Sequence, residues 1–281
     1  RRLGFDLPAG DGHARRRVDR ALVEAGVSIS VCGIVGIFDT SGNGRADPAL
    51  VRAMTGAIVH RGPDGSGFYQ WPDSMPRVAL GMRRLSIIDL DTGDQPIFNE
   101  DRTIALVFNG EIYNYVELRA ELQARGHTFR TQADTEVIVH LYEERGLDLF
   151  GTLRGMYAFA LWDAGAERLV LAVDPVGIKP LYLAEQGGRL LFASEVKALL
   201  QDPVLPRRLN LATLDTYLSF GYMIGTETLY EGVRRLPPGH ALVVEDGAQR
   251  LIRHWTPRFP PGEARPHDIG AIISETRARL A

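Results

Sequence analysis

The sequence predicts an α+β fold built mainly from antiparallel strands, and two observations lead to that prediction. Short strand-like segments follow one another around turn signals, as at 181–193, where two such segments flank Gly187 and Gly188. Helical segments stand singly between these groups, whereas a doubly wound parallel sheet needs strands and helices in regular alternation. Hydrophobic residues make up 45% of the 281 residues, which supplies a sizeable core and excludes a disordered or collagen-like chain.

The first half of the chain supplies most of the predicted sheet. The run 32–38 is apolar and typical of a buried strand. Segment 48–59 begins with Pro48 at the first helical position and repeats apolar residues at helical spacing, which predicts a helix. The other elements predicted here are strands at 68–71, 78–82 and 104–108 and helices at 115–125 and 135–145.

The second half is predicted to supply further strands and then a linker and a helix outside the sheet. Its predicted elements are strands at 156–162 and 169–173, hairpins at 181–184 with 190–193 and at 241–244 with 250–254, and a helix at 211–220. Four prolines at 256–266 indicate a linker, and a last helix begins near Asp268. We therefore expect an N-terminal extension at 1–31, one domain at 32–255, and a linker with a first further helix at 256–281.

Charge and cysteine content exclude several classes of protein. The chain has 32 basic and 35 acidic residues, and this net charge of −3 argues against a nucleic-acid partner. Cys32 is the one cysteine, so no intramolecular disulfide forms and a reducing cytoplasm is expected. No apolar run reaches the ~18–20 residues that cross a bilayer. The uncharged stretch 27–38 resembles a signal-peptide core, but two glycines interrupt it, so neither export nor a membrane partner is expected.

The sequence lacks the common cofactor motifs. It contains no GxxxxGK[ST] phosphate loop, no GxGxxG after a strand and no HExxH. Seven scattered histidines and one cysteine show no metal-ligand spacing. From these patterns we expect neither a bound cofactor nor a metal site.

Cys32 has two interpretations. A lone free cysteine in an apolar strand is ordinarily a small buried hydrophobe. Four further motifs follow it in order, however: Arg61-Gly62-Pro63-Asp64-Gly65, Arg84-Leu85-Ser86-Ile87-Ile88-Asp89, Asn109-Gly110-Glu111-Ile112-Tyr113-Asn114 and Asp134-Thr135-Glu136-Val137-Ile138. Each motif alone is weak, but five in this order make a specific signal.

The ordered set resembles the class II, or N-terminal nucleophile, glutamine amidotransferase domain, and is most similar to that of the glutamine-dependent asparagine synthetases. The resemblance extends from Cys32 to about Trp255, and segments 217–222 and 236–240 favour the asparagine synthetase branch. It implies a four-layer αββα sandwich of two antiparallel sheets.

The resemblance implies that Cys32 is the nucleophile. In that family the nucleophile is the first residue of the mature chain, and its own α-amine, with a pKa of ~7.7–8.0, takes the thiol proton. The thiolate attacks the side-chain amide of glutamine, ammonia leaves, and water hydrolyses the thioester to glutamate. Residues 1–31 are therefore expected to be absent from the active protein, either because a propeptide is removed or, as we favour, because Val31 is a misread GTG start codon.

By the same resemblance, Asn109 and Gly110 form the oxyanion hole. Asn-Gly is also the strongest short signal for a hairpin turn. Both interpretations hold together if a tight turn exposes the Gly110 N–H beside the Asn109 amide. Losing one oxyanion donor typically costs ~10²–10³ in rate.

The charged groups of glutamine are expected to bind two residues of opposite charge. By resemblance Arg84 binds its α-carboxylate and Asp134 its α-ammonium, although Asp134 could instead be the N-cap of helix 135–145. The other residues that the resemblance places around glutamine are Leu85, Ser86, Ile87, Ile88, Asn109, Gly110 and Glu111. The turn after Arg61 is expected to be structural, with an internal Arg61–Asp64 pair, and a place in a loop that closes over the pocket stays open. Segment 174–182 is given no catalytic role.

Beyond glutamine, the resemblance implies a covalently linked synthetase domain. In asparagine synthetases that domain uses ATP and Mg²⁺ to activate aspartate, which then takes up the ammonia. Its Ser-Gly-Gly-x-Asp-Ser loop does not occur in this sequence, so we expect the chain to be the glutaminase half, without a cofactor of its own and compatible with a homodimer. Two alternatives stay open: an amidotransferase of this family with a polysaccharide or natural-product acceptor, and a non-catalytic scaffold.

Overall fold

Antiparallel strands organise the computed structural model, which describes residues 32–43, 45–85, 93–259 and 268–280. The strands in these ranges are β1 (Gly33–Asp39), β2 (Gly65–Trp71), β3 (Val78–Arg84), β4 (Ile97–Phe98), β5 (Ile104–Ile112), β6 (Gly155–Asp163), β7 (Arg168–Val173), β8 (Tyr182–Gln186), β9 (Arg189–Ala193), β10 (Val233–Arg235), β11 (His240–Glu245) and β12 (Ala248–Arg253). They form two six-stranded sheets with the orders β10-β8-β9-β1-β3-β2 and β12-β11-β7-β6-β5-β4.

Helices lie between the strands and after them. The described helices are α1 (Pro48–Ala57), α2 (Tyr115–Ala124), α3 (Glu136–Arg145), α4 (Val196–Leu199), α5 (Leu211–Phe220) and α6 (Ile269–Leu280), with a 3₁₀ helix at Gly146–Gly151. α1 begins as its sequence predicts, because the Asp47 carboxylate caps it by accepting from the Ala49 N–H and Pro48 follows directly. Within the described ranges, no helix is both long and apolar enough to cross a membrane.

The two sheets pack face to face around an apolar core. Along β1, Ile34 and Phe38 turn toward the second sheet, where the Phe38 ring lies 5.8 Å from that of Trp162 on β6. Val35 and Ile37 turn to the opposite face, as the two-residue period of a strand requires. β1 is therefore buried on both faces.

Helices cover the outer face of each sheet. On the first sheet, one apolar cluster joins β1 to α1 and α4: Val35, Ile37, Val51, Met54, Ala198 and Leu199. On the second sheet, another cluster joins β5 and β6 to α2 and α3: Phe108, Phe159, Leu118, Leu122, Val137 and Leu141. The layers follow one another as helix, sheet, sheet, helix, which confirms the predicted αββα sandwich.

A glycine in β1 makes room for an aromatic side chain of the neighbouring strand β9. A Cβ at Gly36 would lie 2.2 Å from the Cζ atom of Phe192, whose ring reaches across from β9. No side chain fits at that distance, so glycine permits the aromatic packing. The contact fixes β1, and Cys32 stands at the start of that strand.

Most predicted elements are confirmed, and the differences concern strand ends and very short elements. β5 continues to Ile112, beyond the predicted end at 108, because it keeps pairing with β6. β4, β10 and the one-turn helix α4 are missed by the sequence pattern, since so few residues carry no periodicity. The predicted extension at 1–31 and most of the linker, at 260–267, lie outside the described residues.

Candidate active site

Strand register and alternation bring Cys32 and Arg84 to the same place. β1 and β3 are antiparallel with Gly33 opposite Arg83, so the next pair outward is Cys32 opposite Arg84. Ile34 faces the second sheet, and the two-residue period places Cys32 on that face as well. The thiol and the guanidinium are therefore cross-strand neighbours at the edge of the inter-sheet space.

The thiol of Cys32 lies against the backbone of Leu85. Its Sγ accepts from the Leu85 N–H at 3.4 Å and donates to the Leu85 carbonyl oxygen at 3.6 Å. Burial raises the pKa of the Cys32 thiol, although the Leu85 backbone and the positive charges of Arg84 and Lys179 oppose that shift. The thiol is consequently protonated at neutral pH, and a base is needed to make it a nucleophile.

The loop between α1 and β2 holds the backbone of Cys32. Arg61 Nε donates to the Cys32 carbonyl oxygen at 3.0 Å, and Arg61 Nη1 pairs with Glu195 at 2.9 Å. A Cβ at Gly33 would lie 3.0 Å from Arg61 Cδ, so the absence of a side chain at Gly33 leaves room for the Arg61 side chain. The sequence predicts an Arg61–Asp64 pair, but the described bonds of Arg61 lead to Cys32 and Glu195, and this loop is part of the site.

Asn109 carries a buried amide that has no hydrogen-bond partner in the part of the chain that the structure describes. Its side chain is 1% exposed, and neither Oδ1 nor Nδ2 has a hydrogen-bond partner among the described residues. Val107, two residues earlier on β5, belongs to the core between the sheets, so Asn109 faces the same space as Cys32. An unpaired buried polar group costs about 1–3 kcal/mol, and such a cost calls for a functional explanation.

Gly110 lies within β5 and not in a turn. It is paired with Tyr157 of β6, and a Cβ on it would lie 2.1 Å from the Met156 carbonyl oxygen. The hairpin turn predicted at Asn109-Gly110 is therefore wrong, because the β5–β6 ladder runs through both residues. Because Gly110 has no side chain, β5 and β6 can lie close together at the residue next to Asn109.

Asp134 is hydrogen-bonded to the last residue of β5. It is 5% exposed, and its Oδ2 accepts from the Ile112 N–H at 2.7 Å. The interpretation of Asp134 as an N-cap is wrong, since α3 begins at Glu136 with Thr135 at the N-cap position. Burial raises the pKa of Asp134 and the charge of Glu111 adds to the shift, although the hydrogen bond from Ile112 opposes it. A cation beside Asp134 would favour its ionised form.

The remaining predicted pocket residues follow β3. Arg84 is 7% exposed, and its Nη1 donates to Asp94 Oδ1 at 2.6 Å. A buried guanidinium that already binds a carboxylate has the geometry for recognising one. Leu85 is described and contacts the thiol, whereas the predicted pocket residues Ser86, Ile87 and Ile88 lie outside the described residues.

Sequence reasoning misses Lys179. This side chain is 7% exposed, and burial together with the positive charge of Arg61 lowers its pKa, while Cys32 and Asp174 oppose that shift. The ammonium group and the thiol are therefore close enough to affect each other's ionisation. A usable signal was present, because Lys179 and Lys197 are the two lysines in a chain whose other basic residues are arginines.

Asp174 shapes the loop that presents Lys179. Its fully buried carboxylate accepts four backbone N–H groups, those of Tyr157 at 3.2 Å, Val176 at 3.1 Å, Ile178 at 3.0 Å and Lys179 at 3.0 Å. So many bonds to one side chain fix the connection between β7 and β8. Asp174 therefore positions Lys179 at the site.

Comparison with known proteins places this geometry in a family. Residues 31–255 match the glutamine amidotransferase domain. The chain is 38% identical over 236 residues to asparagine synthetase (glutamine-hydrolyzing) 1 of Bacillus subtilis, in an alignment that covers 82% of this chain and 36% of that protein. It is 43% identical over 226 residues to asparagine synthetase (glutamine-hydrolyzing) 2 of Arabidopsis thaliana, covering 80% and 33%. The chain thus spans about a third of the length of these relatives.

A solved structure supports the fold independently. The glutamine phosphoribosylpyrophosphate amidotransferase of B. subtilis, complexed with ADP and GMP, superposes with a TM-score of 0.58 at 21% identity, covering 80% of this chain and 50% of that one. At this identity the likeness concerns the fold alone. The match over residues 31–255 confirms the resemblance carried by the five motifs: the chain belongs to the glutamine amidotransferase domain family.

Proposed function

We propose that this chain is the glutaminase half of an asparagine synthetase and that Cys32 is its nucleophile. The observation that carries the proposal is the buried amide of Asn109, which has no hydrogen-bond partner among the described residues and faces the same inter-sheet space as the Cys32 thiol. Arg84 is a buried positive group opposite Cys32, and Asp134 is a buried acid at the end of β5, the strand that carries Asn109. The set fits glutamine, which carries a carboxylate, an ammonium and an amide.

The charged residues would bind the amino-acid end of glutamine. The Arg84 guanidinium pairs with the α-carboxylate, and the Asp134 carboxylate pairs with the α-ammonium, assisted by Gly110 and Glu111. As the resemblance implies, Leu85, Ser86, Ile87 and Ile88 would contribute backbone groups to glutamine binding; of these, Leu85 contacts the Cys32 thiol. A free amide without these two charges would bind poorly, so the pocket selects glutamine.

The chemistry would proceed by acyl transfer to sulfur. The α-amine of Cys32 takes the thiol proton, and Sγ bonds to the side-chain carbonyl carbon of glutamine. The carbonyl oxygen becomes an oxyanion that the Asn109 amide and the Gly110 N–H stabilise. The carbon–nitrogen bond then breaks as the nitrogen receives the proton and leaves as ammonia. Water attacks the thioester, which releases glutamate and returns the proton to sulfur.

This mechanism requires a free α-amine on Cys32. Because burial raises the thiol pKa, a base close to the sulfur is needed, and the α-amine is attached to the same residue. Residues 1–31 would therefore be absent from the active protein, through propeptide removal or through a start at Val31. The proposed domain begins at Cys32 and ends near Trp255, with a linker and first helix at 256–281.

The proposed acceptor of the ammonia is aspartate, in a second domain. Two relatives are named glutamine-hydrolyzing asparagine synthetases, and the chain spans about a third of their length. ATP and Mg²⁺ would act in that further domain, since the pyrophosphate loop of such domains is not in this sequence. A cytoplasmic location and a homodimer are parts of the same proposal.

The test is ATP-independent release of glutamate from glutamine by a chain that begins at Cys32. We expect slow turnover, abolished in Cys32→Ala together with labelling by an electrophilic glutamine analogue. A matched chain that retains Ser30 and Val31 lacks the free amine and should be inactive. Glutaminase activity in Cys32→Ala would contradict the nucleophile, and activity with Val31 retained would contradict the base.

A further inference from the structure

Two histidines and two glutamates meet on the helical side of the second sheet, away from Cys32. Glu100 follows β4, His127 follows α2, and His140 and Glu143 lie one turn apart on α3. One ligand atom from each of the four side chains lies within 4.8 Å of all the others. The four residues come from three separate segments, and we call them the His/Glu cluster.

The spacing within the His/Glu cluster fits a tetrahedral metal site. The Nδ1 atom of His140 is 2.9 Å from Glu143 and 3.6 Å from Glu100, and the Nδ1 atom of His127 is 3.5 Å from Glu143 and 3.7 Å from Glu100. A tetrahedral ion with bonds of about 2.0–2.2 Å has ligands about 3.3–3.6 Å apart. The distances to Glu100 are to its two different oxygens, Oε2 for His140 and Oε1 for His127, and both lie within 0.1 Å of that range, as does the distance from His127 to Glu143 Oε2. The shortest distance, from His140 to Glu143 Oε2, is a hydrogen bond that metal binding would lengthen.

Two members of the His/Glu cluster have hydrogen-bond partners of the kind that orient metal ligands. His127 Nε2 lies 3.0 Å from Glu144 Oε1. Glu143 accepts a hydrogen bond from the Asn99 side-chain amide at 2.9 Å. A histidine that binds metal through one ring nitrogen commonly directs the other at a carboxylate, which fixes its tautomer and orientation.

Charge favours a cation at this position. His140 is 1% exposed, and its ring nitrogens lie 2.9–3.8 Å from the carboxylates of Glu100, Glu136 and Glu143. The negative charge of these carboxylates attracts a cation to the His/Glu cluster. A proton on His140 and a divalent cation are the two occupants that satisfy this charge balance.

We propose that Glu100, His127, His140 and Glu143 bind one structural zinc ion. Imidazole ligands select a transition metal over Mg²⁺ and Ca²⁺, which take oxygen ligands. Four protein ligands close a tetrahedral site and leave no position for a substrate, so the ion is structural and not catalytic. It would fasten the turn after β4 and the segment after α2 to α3, whose preceding loop carries Asp134.

The test is zinc binding by the untagged 281-residue chain after treatment with a chelator. We expect one Zn²⁺ per chain by calorimetry and elemental analysis, a higher melting temperature with zinc, and the intense visible absorption of tetrahedral Co²⁺ on substitution. His127→Gln and Glu143→Gln should each abolish stoichiometric binding. Glu144→Gln should weaken it by about 10–100-fold, as expected for an orienting partner.

His60→Ala is the matched control, because His60 also faces one carboxylate, that of Glu195 at 2.9 Å, but lies outside the His/Glu cluster. It should bind zinc as the unaltered chain does. Circular dichroism of His127→Gln separates lost binding from lost fold. No zinc uptake by the folded unaltered chain, or uptake that all these variants retain, would overturn the proposal in favour of a protonated His140.

Discussion

Arg84 and Asp94 form an ion pair whose two members differ sharply in exposure. Arg84 Nη1 lies 2.6 Å from Asp94 Oδ1, and the Arg84 side chain is 9% exposed whereas that of Asp94 is 87% exposed. The buried member is the residue proposed to bind the α-carboxylate of glutamine. The carboxylate of Asp94 therefore occupies the guanidinium of Arg84, to which the α-carboxylate of glutamine would also bind.

This relationship predicts that Asp94 competes with glutamine. Asp94→Asn should lower KM for glutamine by up to about fivefold, the range of an exposed ion pair, with kcat unchanged. Steady-state glutaminase kinetics measure the effect, and it should shrink at high salt because exposed pairs are screened. Asp246→Asn, at the exposed turn between β11 and β12, is the control. A higher KM in Asp94→Asn would instead make Asp94 a support for Arg84.

The partnerless amide of Asn109 predicts a separation of activity from stability. Asn109→Ala should lower kcat by about 10²–10³ with little change in KM, because an oxyanion donor acts in the transition state. Its free energy of unfolding should stay within about 1 kcal/mol of the unaltered chain, since no hydrogen bond among the described residues is lost. Glutaminase assays and urea unfolding measure the two quantities.

Asn114 offers a matched control for that prediction. Asn109 lies within β5 and Asn114 just after it, but the Asn114 amide donates to the Thr152 carbonyl at 2.9 Å and accepts from the Arg154 N–H at 3.0 Å. Asn114→Ala should therefore lose about 1–3 kcal/mol of stability and keep kcat. If Asn109→Ala behaved like Asn114→Ala, the Asn109 amide would be structural.

The sequence predicts the end of the fold that holds the candidate site well, because the relevant signals are local. The apolar run that contains Ile34 predicts β1, and the motif at Arg84 predicts a charged residue at the end of β3. Asn109 and Gly110 show where local signals fail. The pair has strong turn propensity, yet the ladder with β6, which is a tertiary interaction, continues the strand through both residues.

Distant residues that meet only in the fold account for the other omissions. The His/Glu cluster joins Glu100 to His127 and to α3, so its members show no metal-ligand spacing in sequence. Lys179 influences the pKa of the Cys32 thiol from a connection after β7 that Asp174 holds in place, and a carboxylate that accepts four backbone bonds in this way has no sequence signature. Motif order predicts the family, whereas these contacts depend on how the chain folds in three dimensions.

The raised pKa of Asp134 predicts how glutamine binding depends on pH. The carboxylate must be ionised to attract the α-ammonium, and burial favours its protonated form. As pH falls through the raised pKa, glutamine binding should weaken, with a midpoint above the ~3.9 of an ordinary aspartate. Calorimetry on the Cys32→Ala chain measures binding without turnover. Asp134→Asn should bind weakly at every pH, and an unchanged pH profile in that variant would assign the titration to another group.

Lys179 is predicted to tune the reactivity of the Cys32 thiol. Its positive charge opposes the burial that raises the thiol pKa, so Lys179→Met should raise that pKa further. The rate of Cys32 alkylation by iodoacetamide at neutral pH should fall by about threefold to tenfold, because less thiolate is present, and its pH profile should move to higher pH. Because the chain has two lysines, Lys197→Met is a natural control: Lys197 is half exposed and pairs with Glu195 at 3.1 Å. That control should leave the profile unchanged. If Lys179→Met lowered only the melting temperature and left the alkylation profile in place, Lys179 would be a packing residue and not a group that acts on the thiol.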